Sequence, residues 1–379
     1  MSFATRPPLL QSVQALRGVA ALLVVVFHLV AFEVEGKALF GSVFLLERGS
    51  AGVDMFFVIS GFVMVWVTQS KAGARPHGVG RFLYSRASRI YPLWWVYAGI
   101  MALWVWRDAG MVEPGHLLRS FALLPQAGAP VLEVGWTLIH EMYFYAAFAG
   151  LLCLPRARLA EGLLAWALAV AMCALVLSAP PLAGNVVELA TSPLTLEFLM
   201  GAGLALLLER GRVVSVRTAW VELGAGLILL VLAMGFAPEA WFAVYPNMAK
   251  VMLFGVPCAL VVDGCVGLER AGGWANGVWS WMGTRLGDAS YSLYLSHLFV
   301  LSAGGKAFAL AASATGLAVF DLASGAPVPR LLFAVAGVVA CVVVADASYT
   351  WLEKPMARSL RRFRPAAGKV AGTSGLPIG

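Results

Sequence analysis

Charge is what this sequence is short of. Of its 379 residues, only 12% are Asp, Glu, Lys or Arg, where soluble domains carry about a quarter. No stretch is polar enough to form a separate soluble domain, and there is no low-complexity segment and no obvious repeat. The five cysteines, Cys153, Cys173, Cys258, Cys265 and Cys341, lack metal-ligand spacing and lie within or at the ends of apolar runs. They read as small packing residues, and no metal is expected.

What fills the place of charge is apolar surface, 60% of the residues. A globular core cannot hide that much in a chain of this length, but a bilayer can. A membrane-crossing helix needs about 20 mostly apolar residues. Ten windows qualify, near 13–32, 50–69, 90–107, 136–154, 161–178, 193–208, 217–236, 243–263, 289–312 and 330–351. The expected fold is therefore all-α, a polytopic bundle of about ten transmembrane helices, with one membrane domain over 1–357 and a basic tail over 358–379. Several spans look interrupted by glycine, as in "GAGLALLL" at 201–208. The first segment has no convincing small-residue cleavage site after it and reads as a span, not a removed signal.

The polar remainder is basic, with a formal net charge of +7. With the N-terminus placed in the cytoplasm, twenty lysines and arginines fall on the inner side and five on the outer. This asymmetry places both termini inside and accounts for the charge by topology, leaving no case for nucleic acid.

Two ionisable groups stand in the first apolar run, "LRGVAALLVVVFHL", 16–29. Arg17 and His28 are eleven residues apart, so they project from nearly one helix face, roughly 16 Å apart along the axis. Arg17 reads either as a snorkelling anchor at the inner mouth or as an anion-binding group. His28, expected near mid-membrane, reads as a helix–helix hydrogen bond or a functional imidazole, and intramembrane ionisable groups favour function. Ser60 in "GVDMFFVISGF", Glu141 in "GWTLIHEMYFY" and His297 in "SYSLYLSHLF" reach similar depth. Asp54 lies near the outer end of the second span and reads as structural. Between spans two and three, Arg81, Arg86 and Arg89 precede an aromatic segment that begins at Tyr91. If helical, Arg86 and Arg89 share a face that Arg81 only partly joins. Such a cluster can grip phosphates or anionic membrane lipids. Convergent polar groups in a bundle fit either proton chemistry or a transported substrate, and physics alone does not choose.

The segments "LQSVQALRGVAALLVVVFHL", "GVDMFFVISGF", "RASRIYPLWW", "WTLIHEMYFY", "LEFLMGAGLAL", "SYSLYLSHLF" and "YTWLEKP" resemble, in order, those of the membrane O-acyltransferases called acyltransferase family 3, over about 10–357. The opening and "GVDMFFVISGFVM" look most like bacterial exopolysaccharide O-acetyltransferases of the succinoglycan-modifying type. The resemblance implies an enzyme of the bacterial cytoplasmic membrane that moves acetyl from acetyl-CoA, its substrate and not a resident cofactor, to a lipid-linked or polymeric glycan, with the polysaccharide assembly machinery as a further partner. By similarity Arg17, Arg81, Arg86 and Arg89 would hold the CoA phosphates. His28 would be the catalytic base with Glu141 beside it, and Ser60, Tyr91, His297 and Glu353 match recurring positions. His140 departs from the small or polar residue usual before that glutamate and is expected to pack. The competing expectation is a multi-pass exporter of a small polar or anionic substrate, against which the chain shows no paired halves with matching broken helices.

Overall fold

The structure is a computed structural model that describes residues 10–34, 37–38, 51–68, 78–110, 112–176, 184–236, 246–274 and 277–363. Most of the segment 33–49 and the basic segment beyond 363 lie outside the described residues. The helices are α1 (Gln11–Val30), α2 (Ala51–Thr68), α3 (Val79–Ala109), α4 (Pro114–Ala122), α5 (Gly135–Leu151), α6 (Leu159–Val176), α7 (Val186–Thr191), α8 (Thr195–Glu209) and α9 (Val216–Phe236). Then α10 (Pro246–Lys250) passes through a π-helical turn, Val251–Gly255, into α11 (Val256–Arg270). After α12 (Val278–Asp288) and α13 (Ser290–Thr315), α14 (Pro327–Ser348) continues through a second π turn, Tyr349–Glu353, into α15 (Lys354–Arg361). Apart from a two-residue antiparallel pairing of Glu33–Val34 with Lys37–Ala38, the described chain is helical.

Seven helices among the described residues are long and apolar enough to cross a membrane: α1, α2, α6, α9, α10–α11, α13 and α14 with its extension. The other three expected spans are also helices. At 17 and 15 residues, α5 and α8 are shorter than a bilayer's hydrocarbon width needs. At 31 residues α3 is long enough, but its apolar half is built from Trp94, Trp95, Trp104, Trp106, Tyr91 and Tyr97, which like both water and grease at their tips. The protein is a multi-pass membrane protein. Rows of exposed aliphatic side chains on α6 (Leu164, Leu168, Met172, Leu175) and α14 (Val335, Val339, Val343) are the lipid-facing stripes this requires.

The centre of the bundle is α1. Its Val13, Leu16, Ala20 and Val24 join the main core with α2, α3, α5, α8 and α11, while Ala21, Val25 and Leu29 join a second cluster with Leu293, Leu301, Phe333 and Cys341 of α13 and α14. The N-cap of α1 supplies no side chain, and the Glu269 carboxylate at the end of α11 accepts from the Gln11 and Ser12 amides at 2.9 and 2.8 Å instead. That satisfies helix-end N–H groups and places negative charge at the positive end of the dipole.

The glycines of α8 do not break it. A Cβ at Gly61 would lie 1.7 Å from the Phe198 carbonyl oxygen, and one at Gly201 would lie 1.8 Å from that of Val58. The two helices pack backbone to backbone because neither carries a side chain at the crossing. Next to that crossing Phe57 stacks on Phe198 at 4.5 Å, and Phe198 on Phe144 at 4.4 Å. Hence α2, whose other face carries Ser60, is held rigidly.

Candidate active site

A cavity of about 800 Å³ opens between α1, α2, α3, α5, α13 and α15. Along α2 its lining runs from Thr68 to Val53, fifteen residues or roughly 22 Å of helix. Its mouth is basic. Arg17 of α1, Arg86 and Arg89 of α3, and Lys354, Arg358 and Arg361 of α15 all line it, against three carboxylates, Glu141, Asp288 and Glu353. None of the six cations makes a direct ion pair among the described residues, whereas Arg156, Arg212 and Arg285 elsewhere each do.

Each polar group is fixed by a neighbour. The Arg17 guanidinium donates to Gln14 Oε1 at 2.9 Å and to Ser290 Oγ at 3.0 Å, and Gln14 Nε2 donates to Asp288 Oδ1 at 2.7 Å. Two of the guanidinium's faces are thereby committed to neutral groups, so its charge stays available. Arg86 lies over the rings of Phe82 and Tyr145, with its Nε buried and unpartnered. Further in, the Glu141 carboxylate accepts from Ser60 Oγ at 2.9 Å and from the Tyr145 hydroxyl. Glu353, in the π turn, accepts from Ser292 Oγ at 2.7 Å. π turns recur at functional sites because they re-aim side chains within a helix.

Arg17, Arg86, Arg89, Ser60 and Glu141 are thus brought to one cavity. Arg81 is half-buried, its Nε also unpartnered, but it is not among the lining residues. Nor is Tyr91, whose hydroxyl donates to the Ala122 carbonyl at 2.9 Å and so ties α3 to α4. Asp54 is fully buried beside Lys250, Nζ to Oδ1 3.5 Å, outside the cavity. His140 is buried beside Phe57 and Trp136, as a packing residue is.

His28 and His297 lie beyond the cavity's deep end. His28 occupies the last turn of α1 and not the middle of that helix. His297 Nε2 lies 3.3 Å from His28 Nδ1, with ring centroids 4.8 Å apart. Glu141 is hydrogen-bonded elsewhere, and His28's contact is this second imidazole. Gly52, next to the lining residue Val53, packs against Ala20 and Val24 of α1. The cavity therefore ends about one helical turn, or ~6 Å, short of His28. Phe56 and Tyr294, which line the cavity on this side, meet edge to face at 6.0 Å, with Tyr294 6.1 Å from His297. The Tyr294 hydroxyl is pinned by Thr137 Oγ1 at 2.7 Å and donates to the Val134 carbonyl at 2.8 Å.

The hydrogen bonds choose a tautomer. His297 Nδ1 faces the Leu293 carbonyl at 3.2 Å and His28 Nδ1 faces that of Val24 at 2.9 Å, so in both rings Nδ1 carries the hydrogen. His297 Nε2 then accepts from His28 Nδ1–H, and His28 Nε2 makes no hydrogen bond among the described residues.

The profile of a family described as an acyltransferase domain matches residues 10–350. The chain belongs to that family, acyltransferase family 3. It is 33% identical over 338 residues to the exopolysaccharide production protein ExoZ of Rhizobium meliloti (strain 1021), covering 84% of this chain and 93% of the relative. It is 27% identical over 389 residues to the acyltransferase MdmB of Streptomyces mycarofaciens, covering 94% of each. No solved structure matches the chain. The protein is an acyltransferase enzyme, and the reading as an exporter falls away.

Sequence reasoning missed Gln14, Asp288, Tyr145, Tyr294 and the three cations of α15. The last were counted only as inner-side charge, although their spacing, i, i+4 and i+7, already marked one helix face.

Proposed function

We propose that this acyltransferase moves an acetyl group from cytoplasmic acetyl-CoA to a sugar hydroxyl of an exopolysaccharide or other cell-surface glycan, in the bacterial cytoplasmic membrane with both termini inside. The observation that carries the reading is the cavity: six cations at its mouth with no ion pair among the described residues, a mostly apolar wall behind them that also holds Ser60 and Glu141, and a deep end one turn from the His28 imidazole. CoA is an anionic nucleotide with a long thin arm ending in a thioester, and the cavity is graded in the same order. Guanidinium groups grip phosphates bidentately. The family supports acyl transfer, and ExoZ's name supports exopolysaccharide as the acceptor's field.

In this reading His28 Nε2 takes the proton from the acceptor hydroxyl as its oxygen attacks the thioester carbonyl. The carbon–sulfur bond breaks, and the departing sulfur takes that proton back from the imidazolium, leaving the ester, free CoA and neutral His28. His297 holds the tautomer that makes Nε2 the basic atom, the role a carboxylate plays in a hydrolase triad. Phe56 and Tyr294 stand between thioester and base, so transfer requires the Tyr294 ring to turn aside. The same partition keeps the thioester from water until an acceptor is present. Glu141, held by Ser60 and Tyr145, orients the cavity wall beneath it.

The test is purified protein with labelled acetyl-CoA and glycan acceptor. His28→Ala should bind acetyl-CoA as the wild type does and lose transfer by about 10²–10⁴-fold; transfer at the wild-type rate would refute the reading.

A further inference from the structure

The cations at the mouth come from two separate pieces of the fold. Arg17, Arg86 and Arg89 belong to α1 and α3, and Arg17 is anchored through Gln14 and Ser290. Lys354, Arg358 and Arg361 lie on α15, at spacings of four and three that place all three on one face, and that face lines the cavity. Arg358 and Arg361 are exposed at the rim, while Lys354 is half-buried with its ammonium 5.8 Å from the Tyr349 ring centroid. The helix is not a loose appendage. It continues α14 through the π turn, and the Tyr84 hydroxyl of α3 donates to the Leu360 carbonyl at 2.7 Å, pinning α15 across the mouth. Three like charges on one short helix repel one another, and among the described residues no carboxylate pairs with any of them. Such a face is suited to an anion that the protein does not itself supply.

We propose that α15 is a second anion subsite, which takes the phosphate monoester on the 3′ position of the CoA ribose, while Arg17, Arg86 and Arg89 take the diphosphate. This rests on the reading of acetyl-CoA as the acyl donor. CoA carries those two anionic groups on opposite sides of one ribose, and a cavity mouth with two cationic groups on facing elements matches them. A dianionic monoester is the group that rewards several cations at once. The subsite makes the enzyme select CoA from shorter pantetheine thioesters at the rim, before the arm enters.

The experiment measures binding of acetyl-CoA and of 3′-dephospho-acetyl-CoA to the full-length protein in discs of neutral phosphatidylcholine. The wild type should prefer acetyl-CoA by about tenfold or more. The Arg358→Ala/Arg361→Ala double variant should lose that preference and bind acetyl-CoA no better than the dephospho compound. A variant that keeps the preference, or that loses both ligands alike, overturns the inference while leaving the donor reading intact. A wild type that binds neither thioester overturns both. The same phosphate chemistry exists in lipid headgroups, so the measurement is repeated in discs containing anionic phosphatidylglycerol. If the wild type shows no preference in neutral discs, and the double variant alters only association with anionic bilayers, the face belongs to lipid and the inference fails.

Discussion

The two nitrogens of His28 have different surroundings. Nδ1 is committed to Val24 and His297, and Nε2 makes no hydrogen bond among the described residues. If His297 acts by holding that arrangement, its substitutions should separate by hydrogen-bonding capacity and not by size. His297→Ala should lower kcat about tenfold or more with KM for acetyl-CoA little changed, and His297→Gln, whose amide oxygen reaches the same point, should recover most of it. Equal loss in both variants would mean that the ring only packs. Lys250 is the opposite kind of residue. It sits 3.5 Å from Asp54, which is fully buried beside an equally buried Glu197, and both carboxylates have oxygens without hydrogen-bond partners. Removing the one cation, as in Lys250→Met, should cost about 3–5 kcal/mol of stability, read as a large fall in thermal midpoint with the site chemistry untouched in whatever folds. The sequence made Arg17 and His28 legible because an ionisable group in an apolar run is its own signal. It could not reveal that His28's partner is His297, 269 residues away, or that Tyr294 lies beside that pair, because contacts between distant helices leave no periodic trace.

The helices are positioned by two devices that composition hides. Three successive carbonyls at the end of α4, those of Ser120, Phe121 and Ala122, accept from Trp94 Nε1, Trp95 Nε1 and the Tyr91 hydroxyl of α3 at 3.1, 3.0 and 2.9 Å. The carbonyls of the last turn of α4, of which that of Ser120 also accepts from the Leu123 amide at 3.2 Å, are finished by aromatic donors from a neighbour. Tyr91→Phe should therefore cost about 1 kcal/mol of stability and leave acetyl-CoA affinity unchanged; a selective loss of affinity would instead place Tyr91 in the site. The second device is the α2–α8 crossing. Gly61→Ala should destabilise by about 3 kcal/mol or more, since its Cβ would sit on the Phe198 carbonyl. Gly203→Ala, with nothing within 4 Å of the added carbon, should be neutral or stabilising, as glycine in a helix interior costs about 0.5–1 kcal/mol. Thermal midpoints of the two variants in detergent test the pair, and a similar response from both would contradict the close-packed crossing. From sequence those glycines read as interruptions, because a glycine that breaks a helix and one that admits another look alike until the partner is known. By contrast, the division of Arg86 and Arg89 from Arg81 was visible in their spacing, which is a property of one helix alone.

At the scale of the molecule, the helices surround a cavity with cations at its mouth and with Phe56 and Tyr294 among its lining residues, near the histidine pair. Acetyl-CoA that fills it should stabilise the whole bundle by mass action, about 2.7 kcal/mol at one hundred times its Kd. Arg17→Ala and Arg86→Ala should each need more ligand for the same shift. A thermal midpoint that does not respond to acetyl-CoA would remove the donor from this cavity. The all-helical class and most of the span positions followed from hydropathy. The cavity did not, because it is made by short α5 and aromatic-rich α3, the elements whose membrane character is weakest in sequence. The most direct measurement supplies labelled acetyl-CoA to sealed vesicles of both orientations, carrying the wild type or His28→Ala, with the acceptor glycan present. The account predicts label on the glycan only where the basic mouth of the cavity faces the acetyl-CoA, in inverted vesicles, and loss of that label in a normally inserted His28→Ala. Label transferred equally in both orientations, or by His28→Ala at the wild-type rate, would contradict it.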